Sequence, residues 1–350
     1  MSLPKISDLT KEELRQWAIH AGEKPFRANQ LFTWFFAKKE SSLEGMSNLS
    51  KSFKEKVAKH FDLEPIQIDK KIVATDGTIK FGQRLSDGRL IESVLLRHDD
   101  HNTLCISTQV GCAMACRFCL TATMGLVRNL TPGEIVDQVI NAYSLLPEDE
   151  TLRNIVYMGM GEPFHNYENT LKSLDIFLDP EGLAFSSRRI TISTSGLIPE
   201  IRRFGMENKL KANLAISLNG VTQKAREELM PIGKRYKLKE LMEVCKEFPS
   251  ESRKRITFEY ILIDSLTDSM ESARQLVTLL HGIKSKVNLI PFNEHPDLQF
   301  RATSKEQIKN FQQYLLDHGI TATLRSPRGL SHEAACGHLA TEETRLKAEG

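Results

Sequence analysis

Gly111-Cys112-Ala113-Met114-Ala115-Cys116-Arg117-Phe118-Cys119 is the stretch around which the rest of the chain can be read. Three of the chain's six cysteines fall in it, spaced C-x3-C-x2-C. A closed tetrahedral zinc site or a Cys₄ iron–sulfur site takes four thiolates. Here the run stops at three. A [4Fe–4S] cubane held by three cysteines keeps one iron open to a ligand that is not protein, and that open corner is what the spacing offers. Zinc stays open as the other reading, because Cys105, seven residues upstream, could complete a knuckle. Zinc sites, however, usually pair their ligands as C-x2-C. A disulfide framework fits poorly with a long chain that carries no secretory signal.

Phe118, just before the third cysteine, would give a cluster apolar cover. With that aromatic in place the run resembles the signature of the radical S-adenosylmethionine (SAM) superfamily. The resemblance implies that the amino and carboxylate groups of SAM occupy the open iron.

At 350 residues the chain has room for one large domain and a small one. Forty-seven basic residues against 45 acids leave a net charge of +2, which argues neither for nor against nucleic acid. No segment approaches about 18 consecutive apolar residues, so no membrane span is expected. The N-terminus, Met-Ser-Leu-Pro-Lys-Ile-Ser-Asp, lacks a hydrophobic signal core. A cytoplasmic, reducing setting is expected, in which clustered thiols act as ligands or catalytic groups.

Residues 1–62 read as a helical accessory domain. Lys11–Ala21, Phe26–Lys38 and Met46–Phe61 carry apolar residues at helical spacing. Lys24, Arg27, Lys38, Lys39, Lys51, Lys54, Lys56 and Lys59 gather there; they suit RNA phosphates, or simply a solvated helix face. Residues 63–100 change period. Asp76-Gly77 and Asp87-Gly88 mark two hairpin turns, which predicts a β-meander. Residues 101–340 alternate strand-like and helix-like segments, with strands predicted at Leu104–Gln109, Asn154–Met158, Arg189–Ser193, Ala212–Leu218, Arg255–Leu262, Val287–Ile290 and Ile320–Arg325. Thr131-Pro132-Gly133-Glu134 opens a helix with a threonine cap and a glutamate at the third position. Its apolar stripe is Ile135, Val136, Val139, Ile140 and Tyr143. Leu238, Leu241, Met242, Cys245 and Phe248 form another stripe, which makes Cys245 a packing residue. Residues 341–350 are left as a tail. About six βα units imply a parallel sheet, doubly wound or curled into a barrel.

In such sheets active sites collect at the carboxyl ends of the strands. The cysteine loop follows the first strand, Met158-Gly159-Met160-Gly161-Glu162-Pro163 the second, Ser193-Thr194-Ser195-Gly196 the third and Ser217-Leu218-Asn219-Gly220 the fourth. Pro291-Phe292-Asn293 and Ala334-Ala335-Cys336-Gly337 follow later ones. Gly161 suits close backbone approach to a ligand, or an ordinary turn; Glu162 suits bonds from a cationic amine. Ser193, Ser217 and Asn219 suit ligand binding or helix capping. Asn293 can donate to and accept from an adenine or a carboxylate. Cys336, between alanines and a glycine, has little packing reason to be a thiol.

Together these loops resemble the RlmN/Cfr family of radical SAM RNA methyltransferases, over essentially the whole chain. The motifs that carry the resemblance are Cys105-Ile-Ser-Thr-Gln-Val-Gly-Cys112-Ala-Met-Ala-Cys116-Arg-Phe-Cys119, Met158-Gly-Met-Gly-Glu162-Pro, Arg189-Ile-Thr-Ile-Ser193-Thr-Ser-Gly and Ala334-Ala-Cys336-Gly. It implies an incomplete (β/α)6 barrel with a helical cap and a meander, and a [4Fe–4S] cluster on Cys112, Cys116 and Cys119. It also implies two SAM molecules per turnover. One methylates Cys336 by displacement; the second, cleaved to a 5′-deoxyadenosyl radical, activates that methyl to add to adenine. Cys105 then resolves the protein–RNA adduct by forming a disulfide with Cys336. Gly161, Glu162, Ser193, Ser217, Leu218, Asn219 and Asn293 match SAM contacts. Glu92 matches a proton acceptor, against the alternative of an exposed strand residue. Asn219 stands where the family usually has histidine, so a proton-transfer role there is in doubt while a binding role survives.

RlmN-type members methylate carbon 2 of an adenosine in large-subunit (23S) rRNA and of the adenosine beside the anticodon in certain tRNAs; Cfr-type members methylate carbon 8. The Ser326-Pro327-Arg328-Gly329 run and Cys119-Leu-Thr-Ala look like the former. An electron donor such as flavodoxin and a monomeric state are expected. The rival from another class is a zinc-stabilised RNA-binding protein without catalysis.

Overall fold

A computed structural model of the protein describes residues 3–207, 211–249 and 255–325. Its strands are β1 (Gln67–Val73), β2 (Ile79–Arg84), β3 (Leu90–Arg97), β4 (Asn102–Cys105), β5 (Gln109–Gly111), β6 (Leu126–Asn129), β7 (Leu152–Tyr157), β8 (Ile190–Thr194), β9 (Asn213–Ser217), β10 (Ile256–Leu262), β11 (Ser285–Pro291) and β12 (Ala322–Leu324). β4 and β7–β12 run parallel in sequence order, with helices in the crossovers. The sheet ends at β12 without pairing back onto β4 among the described residues, so the barrel is incomplete.

The meander is more than a connector. β3 pairs antiparallel with β4, so β1–β3 extend the barrel sheet to ten strands. Its turns form where predicted, because Asp76 and Asp87 each accept a bond from the backbone N–H two residues on, at 3.0 and 3.1 Å.

The first barrel strand is shorter than the run Leu104–Gln109 predicts. After Ile106 the backbone leaves the ladder: Ser107 N–H donates to the Gln138 side chain at 2.7 Å and Thr108 N–H to the Met160 carbonyl at 2.8 Å. Tertiary partners there replace strand pairing. Gln109–Gly111 then pairs with Leu126–Asn129 in a separate ribbon that brackets the cysteine loop.

Helices cover Lys11–His20, Pro25–Phe32 and Lys51–His60, and the second continues as a π turn through Thr33–Ala37. The third begins later than Met46, because the Ser50 hydroxyl caps it by accepting from Phe53 N–H. Phe32, Phe36, Phe53 and Val57 are fully buried. They fuse the cap to one continuous core with the barrel strands.

Helix Pro132–Ser144 starts on the predicted capping box. Its face away from the apolar stripe is also buried, carrying Asp137, Gln138 and Asn141 against the meander and the N-terminal segment. Cys245 lies in the core, as its stripe predicts. No helix among the described residues is long and apolar enough to cross a membrane.

Candidate active site

The carboxyl ends of the parallel strands surround one cavity of about 1240 Å³, counted with its open mouth. Cys105, Cys112, Cys116, Cys119, Gly161, Glu162, Ser193, Ser217, Asn219 and Asn293 all line it. They come from the first to the sixth barrel strand, so the sheet must curl for them to meet. Cys336 and the Ser326–Gly329 run lie outside the described residues.

The cysteine loop is held from three sides. Cys112 N–H donates to the Gly125 carbonyl at 2.8 Å, and Arg117 N–H to the Leu229 carbonyl at 3.0 Å. Cys116 and Phe118 pack on a second apolar cluster of Leu229, Met230, Ile261, Ile263 and Phe292. Phe118 therefore covers the loop, as its place in the sequence suggests. Burial pushes the Cys112 thiol up to about 12. Cys116 is raised too, by burial first and then by the neighbouring Cys119, Cys112 and Glu162 charges. Three thiols close enough to feel one another, one buried and two half-buried at the cavity wall, suit an electron-deficient metal cluster that takes them as thiolates. Among the described residues no three thiol, imidazole or carboxylate groups converge tightly enough for a single metal ion. Nor does any disulfide join two of the described cysteines, and the expected partner of Cys105 lies beyond them.

The Met158–Pro163 loop is pinned to the segment after β4. Met160 N–H donates to the Ser107 hydroxyl at 2.8 Å, and Glu162 N–H to Gln109 Oε1 at 2.8 Å. Gly161 has φ +102°, and a Cβ there would come within 2.6 Å of Gln109. The position needs glycine on both counts. The Glu162 carboxylate accepts from Ser195 N–H at 2.7 Å and Phe164 N–H at 3.1 Å, tying the β7 and β8 ends together. Burial nevertheless raises its pKa.

Asn219 has φ +51°, a left-handed conformation that asparagine tolerates. Its Oδ1 accepts from Ile261 N–H at 3.0 Å and its Nδ2 faces the Met230 sulfur at 3.5 Å. Leu218 is buried behind the wall, its N–H on the Glu259 carbonyl at 3.0 Å. Glu92 also stands back from the cavity. It is buried, not an exposed strand residue, with Lys80 Nζ 3.3 Å from Oε1.

The cavity also holds two residues not expected as contacts: Ser195, which lies within the third strand-end motif and whose side chain favours the ionised Glu162, and Glu259, a buried carboxylate accepting from Asn288 at 2.7 Å. Glu259 sits mid-run in a seven-residue strand buried throughout, so the rule that sites gather at strand ends does not reach it, and its only signal in the sequence is a carboxylate inside a largely apolar run. In the cap, Lys56 is paired with Glu23 at 2.7 Å, and Lys38 lies 3.4 Å over the Trp34 ring. Lys24, Lys51 and Lys59 are exposed.

Two family models match the chain. One is the ribosomal RNA large subunit methyltransferase N-terminal domain, over residues 5–63; the other is the radical SAM superfamily, over residues 106–277. The dual-specificity RNA methyltransferase RlmN of Syntrophotalea carbinolica is 47% identical over 95% of this chain and 89% of its own length. That of Geobacter sulfurreducens is 44% identical over 99% of this chain and 94% of its own. A crystal structure of a radical SAM methyltransferase from Sphaerobacter thermophilus superposes with a TM-score of 0.90 at 42% identity, covering 96% of this chain and 99% of that one.

Proposed function

The chain belongs to the RlmN family of radical SAM RNA methyltransferases, and on that premise we propose that it methylates carbon 2 of an adenosine in 23S rRNA and in tRNA next to the anticodon, through a methylated Cys336. The observation that carries this reading is the shared cavity, which gathers a three-cysteine wall, a separate Cys105 and the polar strand-end residues around one space. Membership implies a [4Fe–4S] cluster and SAM. We assign the cluster to Cys112, Cys116 and Cys119, and two SAM molecules to each turnover. When bound, the cluster supplies the electron that cleaves SAM to a 5′-deoxyadenosyl radical, chemistry that no side chain can provide.

The chain's own residues bind, orient and exclude water. Glu162, held by two backbone N–H groups, keeps an anionic edge for the ammonium of SAM. Gly161 lets the backbone approach, and Ser193, Ser217 and Asn293 supply hydroxyl and amide groups along the nucleoside. Leu218 contributes from behind the wall, by fixing the backbone of that turn. Asn219 takes a binding role, because its amide cannot move a proton near pH 7. Carbon 2 of adenine is electron-poor, so displacement on the SAM methyl is closed to it; Cys336 is the thiol that takes the methyl first. Cys105 releases the product as a thiolate, forming a disulfide with Cys336. Glu92 is the proposed acceptor of the adenine proton; it stands behind the cavity lining, and what supports the role is its place on the strand paired with β4, where its carbonyl accepts from the Ser107 hydroxyl.

Residues 1–62 are proposed as the RNA-binding accessory domain, with Lys24, Lys51 and Lys59 as phosphate contacts. A cytoplasmic monomer fed by an electron donor such as flavodoxin completes the reading. Mass spectrometry of nucleosides from rRNA and tRNA of cells with and without the protein tests it. Loss of 2-methyladenosine from both RNAs is expected; loss of 8-methyladenosine instead, or no change, would overturn it.

A further inference from the structure

Arg226 is fully buried in the helix Gln223–Leu229, behind the cavity wall. Its Nη1 donates to the Ser217 carbonyl at 2.9 Å and the Leu218 carbonyl at 2.5 Å, and its Nη2 to the Ser195 carbonyl. One guanidinium therefore ties the carboxyl ends of β8 and β9 together. Its Nε–H has no partner. Room has been made for it: a Cβ at Gly196 would come within 2.8 Å of the guanidinium, and one at Gly220 within 2.8 Å of the Arg226 backbone nitrogen.

What the group lacks is an anion. Carbonyl dipoles offset part of a buried charge but leave a net positive unit, and buried charges are ordinarily paired. Among the described residues no carboxylate pairs with Arg226; Leu229, at the end of its helix, and Met230 pack against Cys116, Arg117 N–H donates to the Leu229 carbonyl at 3.0 Å, and the charges that reach the guanidinium are those of the Cys116 and Cys245 thiols. Burial lowers its pKa only to about 10, so the proton stays on at neutral pH. Cys116 belongs to the three-thiol wall, and a cluster on three thiolates is anionic, more so with each electron it accepts.

We propose that Arg226 is the fixed counter-charge of the three-thiolate centre, placed to favour its reduced state. The inference rests on the assignment of the cluster to Cys112, Cys116 and Cys119. Its sign is set by Coulomb's law: a cation in a dry site stabilises the more negative member of a redox pair.

Two full-length variants test it after anaerobic reconstitution. Arg226→Met removes the charge together with the fork to the three carbonyls. Cys245→Asp leaves the fork and gives the guanidinium a buried carboxylate. Iron and sulfide are counted, and the midpoint potential of the cluster is taken from a redox titration followed by electron paramagnetic resonance. In whichever variant folds and loads, the reduction equilibrium is expected to shift at least tenfold against the reduced cluster, about 59 mV to the negative side for one electron. A folded, loaded variant with the wild-type potential would overturn the proposal. So would collapse of both apoproteins, which would assign Arg226 to the scaffold alone. Wild-type protein that takes up no iron and sulfide would instead fail the cluster assignment itself.

Discussion

Two buried polar regions lie on either side of Ser107 and differ in how they are satisfied. In the seam between cap, meander and barrel, Gln138 bonds both to Ser93 and to the backbone of Ser107, while Asn141 reaches Gln83 and the Ile66 carbonyl. Those amides answer their neighbours, and the exception in the seam is Asp137, a buried carboxylate whose pKa burial raises. In the cavity, Glu259 is a second buried carboxylate and burial raises both Cys112 and Glu162; behind its wall a guanidinium has no carboxylate partner among the described residues. A closed polar network rigidifies a fold, whereas an unsatisfied one marks where something else must bind. Variants on the two sides should therefore fail in different ways.

The largest effect is expected at the thiol wall. Alanine at Cys112, Cys116 or Cys119 should abolish the visible absorption of the cluster and SAM cleavage, while Cys105→Ala should retain both. Cluster loss in Cys105→Ala would make it a fourth ligand and erase the open corner. Next comes Glu162→Ala, which should weaken SAM binding roughly a hundredfold by equilibrium dialysis, the scale of a charge-assisted contact of about 3 kcal/mol. Unchanged affinity would return Glu162 to the scaffold.

On the seam, Gln138→Leu takes one partner from Ser93 and leaves both backbone polar groups of Ser107 short of one. It should cost about 2–4 kcal/mol in chemical denaturation, with near-normal SAM affinity in the folded fraction. A large affinity loss at full stability would dissolve the distinction between the regions.

The smallest effect concerns Asp137, which accepts from Ile66 N–H at 3.0 Å and lies 4.0 Å from Lys5. Burial raises its pKa from 3.8 to about 7. The folded state then holds its proton more tightly than the unfolded chain does, so this contribution is full below about pH 4 and is lost as pH rises through about 7. Unfolding midpoints measured from pH 4 to 8 should fall in the wild type and flatten in Asp137→Asn. Parallel curves would remove Asp137 as the titrating group.

Much of the barrel and its rim was legible because glycine pairs, caps and period shifts report local backbone geometry. The C-x3-C-x2-C run and the strand-end loops are local in the same sense. Glu92 and Arg226 were not legible in this way. A charged residue in a strand or helix reads as solvent-facing until the packing of distant elements is known, and Arg226 is buried by glycines at Gly196 and Gly220. The early end of β4 was hidden for the same reason. Ser107 is drawn off the ladder by Gln138, thirty-one residues away.

The most direct test of the cavity's proposed chemistry is the RNA content of purified Cys105→Ala protein. If Cys336 carries the methyl and Cys105 only releases the product, this variant should methylate Cys336, attack adenine and stall. The purified protein should then hold RNA that survives denaturation and is digested by ribonuclease, whereas Cys336→Ala should hold none. A Cys105→Ala protein with an intact cluster and no bound RNA would contradict that division of labour.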